Sequence, residues 1–234
     1  PDVDLAAARV RDSGAVHQFV RHAVERALAA SAAEQPAVSA VERLGVAGVE
    51  ARTFHSAALS QLRRTRGDGP GRILSTKALL LRQIGNTLPP PYRFRPAGDL
   101  ATEVEWAKNR RLTPETYRAG IGEHEPPIPE NLMYTVFREY ERRKTASGLI
   151  DFEDLLELAI RMYEEDEWAL SALRSRNAAF TVDEYQDVNL LQQSLLELWL
   201  GPRDDVCAVG DDGADIAGTD DAKRLAGEKA AGNP

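Results

Sequence analysis

Two short apolar runs, "AAFTV" at 178–182 and "DVCAVGD" at 205–211, are separated by a stretch with helical spacing from Leu190 to Leu200, and they constrain the fold more than any other feature. A strand that rejoins its sheet through a helix lies parallel to its predecessor, because an antiparallel partner needs only a tight turn. Parallel strands are covered on both faces, which explains why the runs are continuously apolar and do not alternate. An α/β unit is therefore expected near the end of the chain. Upstream, Val16, Phe19, Val20, Ala23, Val24, Ala27 and Leu28 predict an amphipathic helix over 15–33. "AVSAVERLG" predicts a shorter helix ended by Gly45. "VEARTFHSAALSQLRR" changes character midway, predicting a strand from Val49 to Phe54 and a helix from Ser56 onward.

The middle third reads as helix interrupted by proline. "STKALLLRQIGN" starts a helix with Ser75 as its cap, and "TLPPPYRFRPAG" is an extended connector because consecutive prolines remove backbone donors. "GDLATEVEWAKNRRL" places Leu100, Val104 and Ala107 on one stripe, and "TPETYRAG" opens with a threonine cap and a first-turn proline. After "EHEPPIPEN", helix resumes until Gly148, and Asp151 caps the helix of "DFEDLLELAIRMYEED". Trp106 and Trp199 fall at helical spacing and are read as packing residues. Beyond Gly210 the sequence is small, polar and glycine-rich, which predicts a loop and a weakly ordered tail.

The 234 residues carry a net charge of −8, which argues against a protein that coats nucleic acid through a diffuse positive field. Basic residues still cluster in three trios: Arg63, Arg64 and Arg66; Lys108, Arg110 and Arg111; Arg142, Arg143 and Lys144. The plain reading of each is a solvated helix face. The single cysteine, Cys207, has no neighbours at zinc-ligand spacing. No run reaches the ~20 apolar residues of a membrane span, so a soluble, cytoplasmic protein is expected.

Reactive groups in parallel sheets gather at the carboxyl ends of strands, and Asp183 and Glu184 follow the strand "FTV" directly. Adjacent acids there can divide labour, one holding magnesium and the other orienting water. The second strand also ends in acid, at Asp211 and Asp212. The competing reading is that Asp183, Asp187 and Asn189 only cap the following helix. His55 can equally be structural, Phe54 core and Asp151 a cap.

The longer string "VDEYQDVNLLQQSLLELW" resembles motif II, the Walker B box, of superfamily I DNA helicases of the UvrD/Rep/PcrA type. "ARTFHSAALSQLRR" is similar to that family's T-F-H-[SA] box, "GLIDFEDLL" to its [LI]-D-F-[DE]-D-L-L box, and "DDVCAVGDD" to the strand leading into motif III. The four boxes stand in the family's order over most of residues 49–212. The resemblance implies an α/β fold, a RecA-like P-loop NTPase parallel sheet that is incomplete here, with a largely α-helical insertion, acting as a motor that couples ATP hydrolysis to 3′ to 5′ movement on single-stranded DNA and to duplex unwinding. Its boundaries here would be 1–71 for the first part of the motor domain, 72–148 for the insertion, 149–212 for the remaining motor domain and 213–234 for the tail.

By the same resemblance, Asp183 would ligate Mg2+, Glu184 would activate water, Gln186 would sense the γ-phosphate of ATP, and Asp211 would belong to the nucleotide site. Thr53, Phe54 and His55 would contact single-stranded DNA. Lys108, Arg110 and Arg111 are candidate phosphate contacts of the insertion, though the resemblance does not specify them. The implied partners are single-stranded DNA, single-strand/duplex junctions and a second motor domain of the same parent chain, with no membrane; the implied location is the cytoplasm, at the nucleoid.

The sequence departs from the pattern in three places, one of them a T-F-T box that is absent or shortened between Ser31 and Val41. It contains no G-x-x-x-x-G-K-[ST] phosphate loop, and after Gly210 it reads "DDGADIAG" without the glutamine and aromatic of motif III. The chain is therefore expected to be an incomplete, by itself inactive piece of a helicase. A catalytically inactive DNA-binding or protein-interaction module is the alternative. A carboxylate-metal phosphohydrolase using Asp183, Glu184 and Asp211 would leave "TFHS" and "DFEDLL" unexplained.

Overall fold

The expected strand–helix–strand unit is present at the end of the described chain. In a computed structural model that describes residues 4–8, 49–67 and 70–208, strands β5 (Ala179–Val182) and β6 (Val206–Ala208) pair in parallel across helix α8 (Leu190–Leu200). Strand β1 (Asp4–Ala8) lies between β5 and β2 (Val49–Thr53) and runs antiparallel to both, giving the order β2-β1-β5-β6. This corrects the expectation of a parallel sheet: the fold is α/β, but the sheet among the described residues is mixed. Among the neighbouring strands described there, only β5 and β6 are parallel, and α8 provides the crossover that such pairing requires. The expectation that both apolar runs are covered on two faces holds only for β5, all four of whose residues are buried. Strand β6 is an edge, and Val206 and Ala208 are exposed.

Helix α1 (Phe54–Arg66) begins directly after β2, because the Thr53 hydroxyl accepts from the Ser56 amide and caps it. Phe54 is thus the first helical residue and not the last of the strand. Between α1 and the later part of the sheet lies the helical block: α2 (Ala78–Gly85), α3 (Ala97–Asn109), α4 (Pro114–Gly120) and α5 (Glu130–Ala146). Thr113 caps α4 as expected. Ser75 does not cap α2, whose N-cap residue is Lys77. The chain enters and leaves this block through a two-stranded parallel ladder, β3 (Arg72–Ile73) with β4 (Leu149–Ile150), which closes its base. Helices α6 (Phe152–Glu165) and α7 (Glu167–Arg176) then lead back to β5.

Two hydrophobic cores result. One joins α1, α6, α7, β5 and α8, and at its centre Trp199 stacks between Phe54 and Phe180, each ring centroid 5.8 Å away. The other gathers Leu81, Leu100, Val104, Tyr117, Phe137 and Tyr140 of the helical block. Full burial of each such side chain stabilises the fold by roughly 1.5–3 kcal/mol. Leu100, Val104 and Ala107 face inward, as their spacing predicts. The helices expected over 15–33 and 37–45 and the tail over 213–234 lie outside the described residues. Among the described residues no helix is long and apolar enough to cross a membrane.

Candidate functional site

Asp183 and Glu184 leave the sheet where β5 ends, and the chain turns sharply there. Glu184 adopts the left-handed conformation, φ 50° and ψ 44°, before a single 3-10 turn over Tyr185–Asp187. A non-glycine residue in that region costs about 1–2 kcal/mol, so the surrounding turn has to hold it in place. Asp183 is half-buried, Glu184 exposed, and the Asp183 carboxylate accepts from the Glu184 amide at 3.1 Å. The Gln186 amide group donates through Nε2 to Glu184 Oε2, while its own carbonyl oxygen is buried with no hydrogen-bond partner. Such an orphaned acceptor is costly unless a ligand or water satisfies it.

Helix capping does not explain these acids. Asn189 caps α8, accepting from the Gln192 amide at 3.0 Å while the Gln192 side chain accepts from the Asn189 amide at 3.1 Å. Asp183 and Asp187 take no part in that cap. Hard carboxylate oxygens at a strand end, beside an unsatisfied amide carbonyl, match the donor chemistry of magnesium with its bound waters. Asp211 lies outside the described residues.

The T-F-H box reaches the same end of the sheet. Thr53 pairs with Asp4 across β2 and β1, and Leu5 pairs with Val182 across β1 and β5, so both boxes leave the sheet on one side. Thr53 serves as the α1 cap. Phe54 is fully buried against Trp199, which corrects its assignment as a DNA contact: its ring is part of the core. His55 lies half-buried with its ring edge-on to Phe152, centroids 5.5 Å apart.

The basic trio at 108–111 behaves differently from its sequence reading. The Lys108 side chain is only 9% exposed, and its ammonium donates to both Asp151 oxygens at 2.6 and 2.7 Å and to Asp154, with Glu141 at 3.2 Å. This corrects its assignment as a phosphate contact, because the charge points inward and is already neutralised. Arg111 pairs with Glu157 and Glu164. The guanidinium of Arg110 lies 4.8 Å from the centroid of the Trp106 ring. The third trio is similarly engaged: Arg142 and Arg143 grip Glu139, their hydrogen bonds pulling its carboxyl down to about 2, and Lys144 is buried against Asp151 at 3.0 Å.

Lys108, Lys144, Asp151 and Asp154 form a network that joins α3, α5 and the start of α6. The Tyr140 hydroxyl donates to Asp151 at 2.9 Å, and Asp151 caps α6 through the Asp154 amide. Burial alone would raise the Asp151 carboxyl, but the charges of Lys108 and Lys144 outweigh it and hold the group far below the usual carboxylate range. Lys108 is the mirror image: burial opposes its charge, and Asp151, Glu141 and Asp154 raise it above an ordinary lysine. Glu141, Asp151 and Asp154 lie close enough to suggest a cation site, but Lys108 and Lys144 are the cations they hold. Sequence reasoning identified the Asp151 cap and missed this network, since nothing local signals that a lysine 43 residues upstream, Lys108, joins the nearby Lys144 on it.

A mixed α/β domain with an acidic sheet end and an attached helical block is the class that fold and site define. The chain belongs to the UvrD/REP helicase N-terminal domain family, which it matches over residues 14–216. It is similar to the ATP-dependent DNA helicase UvrD2 of Mycobacterium tuberculosis, 36% identical over 176 residues that make up 71% of this chain and 25% of the relative. It is also similar to UvrD1 of that organism, 27% identical over 72% of this chain and 24% of the relative, and to PcrA of Staphylococcus epidermidis, 29% identical over 47% and 15%. The chain spans about a quarter of the length of the UvrD2 helicases it matches.

Proposed function

We propose that this chain is the first motor domain, with a helical insertion over 72–148, of an ATP-dependent DNA helicase that steps 3′ to 5′ along single-stranded DNA. The sheet is that of a RecA-like motor, completed by a phosphate loop and a second motor domain. Asp183 would hold Mg2+, Glu184 would orient and deprotonate the attacking water, and Gln186 would sense the γ-phosphate of ATP. Thr53 and His55 face the DNA side of the same sheet end. Asp211, outside the described residues, is assigned to the same nucleotide site. The protein works in the cytoplasm on single-strand/duplex junctions in DNA repair or replication.

The observation that carries this reading is the acid pair at the end of β5, which the helix does not use for capping and which stands beside the orphaned Gln186 carbonyl. The bound magnesium supplies charge neutralisation for the phosphates. The test is DNA-stimulated ATP hydrolysis by a polypeptide that joins this chain to a phosphate loop and a second motor domain. Glu184→Gln is expected to lower kcat roughly 10²- to 10⁴-fold, the range for loss of a general base. The 234-residue chain alone is expected to show no turnover. Full activity of the Glu184→Gln protein would remove the acids from catalysis and favour a non-hydrolytic DNA-binding or protein-interaction module.

A further inference from the structure

With Lys108 turned inward and Arg111 paired, the exposed basic surface of the helical block lies elsewhere. Residues 69–98 contain no aspartate or glutamate, yet they carry Arg72, Lys77, Arg82, Arg93 and Arg95 in a chain of net charge −8. Lys77 is neutralised by Glu105 and Glu153 inside the fold. Arg82, Arg93 and Arg95 are exposed and line one groove of about 460 Å3 between α2 and the start of α3. Among the described residues, the one ion pair these three arginines make is Arg95 with Asp99, at 3.7 Å and open enough for solvent to screen it.

Beside the groove, between two of the arginines that line it, stands an aromatic ring that the core does not use. Phe94 is 73% exposed, and the Arg93 guanidinium lies 4.8 Å from its centroid. Leu79, on the facing turn of α2, is 66% exposed. A concentrated positive field beside an open ring is the combination that holds single-stranded nucleic acid: phosphates meet the cations, and a base, which always has a flat face, stacks on the ring. Paired bases cannot offer that face.

We propose that this groove takes an unpaired stretch of DNA, with one base stacked on Phe94 and backbone phosphates against Arg82, Arg93 and Arg95. The proposal rests on the reading of the chain as DNA-associated, and it adds to that reading a second strand contact, on the helical block and away from the acidic sheet end.

The test is fluorescence anisotropy of a labelled thymidine oligonucleotide with the 234-residue chain and no nucleotide, at salt concentrations between about 50 and 200 mM. Replacing all three arginines with glutamine is expected to flatten the log affinity against log salt slope by about 2, close to 0.7 for each lost phosphate contact. The corresponding triple lysine variant keeps the slope. Phe94→Ala is expected to weaken binding roughly tenfold at unchanged slope. The double variant Arg118→Gln with Arg142→Gln, which removes exposed arginines already paired with Glu130 and Glu139, leaves both unchanged. All of the groove side chains replaced are exposed, so a thermal melt matching the parent shows that a loss of binding is not a loss of fold.

An unchanged slope in the triple glutamine variant overturns the proposal. So does equal weakening by the Arg118 and Arg142 control, or tighter binding of a blunt duplex to which Phe94→Ala makes no difference. Equal binding to phosphatidylserine vesicles would identify a generic anionic surface and also overturn it. Because the assay omits ATP, its outcome is independent of catalysis. Groove variants that bind normally while Glu184→Gln abolishes turnover sink the groove alone; the reverse pattern sinks only the catalytic assignment.

Discussion

Asp151 and Asp183 each follow a short strand and precede a helix, and they have opposite fates. Asp151 comes directly after β4, α6 starts at the next residue, and its carboxylate becomes the cap. There it is fully buried and takes two lysines and a tyrosine hydroxyl. Asp183 comes directly after β5, but a left-handed residue and a 3-10 turn intervene before α8, and Asn189 does the capping. What differs is the spacing between strand end and helix start. Immediate helix onset commits an aspartate to the architecture, whereas a short turn keeps it at the surface, where its chemistry is available to a ligand.

The sharpest way to break this contrast is to remove the buried partner. Asp151→Ala strips the cap and leaves Lys108 and Lys144 buried without their shared counter-ion, and urea unfolding should record a loss of about 3–5 kcal/mol. A loss below about 1 kcal/mol would mean that the cluster is hydrated and of the ordinary surface type. The same network sets an acid limit. The Asp151 carboxyl is lower in the folded than in the unfolded state, so its contribution is complete above the unfolded value of about 3.9 and declines as pH falls below it. Glu153 opposes this: burial raises its carboxyl despite Lys77, so its protonation at low pH favours the fold and softens the decline. Asp151→Ala should therefore flatten the acid limb of stability against pH.

Smaller effects probe the other side. Asn189→Ala should cost about 1 kcal/mol, the usual value of a lost cap, and a near-zero result would return Asp183 or Asp187 to the capping role. Smaller still, Glu184→Gln should leave stability within about 0.5 kcal/mol, as expected for an exposed side chain. Glu184→Gly tests the backbone: relief of the left-handed conformation should raise stability by up to about 1 kcal/mol. Destabilisation by both Glu184 variants would place the residue with Asp151 as an architectural acid.

Much of the local structure was legible because it depends on neighbours in sequence. Leu190 to Leu200 is the helix its spacing predicted, Asp151 and Thr113 are caps, and Trp199 is a packing residue. The misreadings share one physical origin. Lys108 sits at the end of an amphipathic helix and reads as a solvated charge, yet its partners arrive from α5 and α6. Phe54 lies inside a functional box and still faces Trp199, 145 positions away in the chain. The acid-free stretch from 69 to 98 was a signal present in the sequence, but only the fold shows which of its arginines reach the surface.

By itself, then, the sequence determined most of the described helices, the caps at Thr113 and Asp151, the strand–helix–strand unit and the family, since each follows from short-range periodicity or a contiguous string of side chains. Tertiary structure alone decided which charges are neutralised, that β1 runs antiparallel and makes the sheet mixed, and that the acids of "DFEDLL" are consumed while those of "VDEYQD" stand at a sheet end. The reason is that charge pairing and strand order depend on groups brought together across long stretches of chain, and no local pattern encodes that meeting.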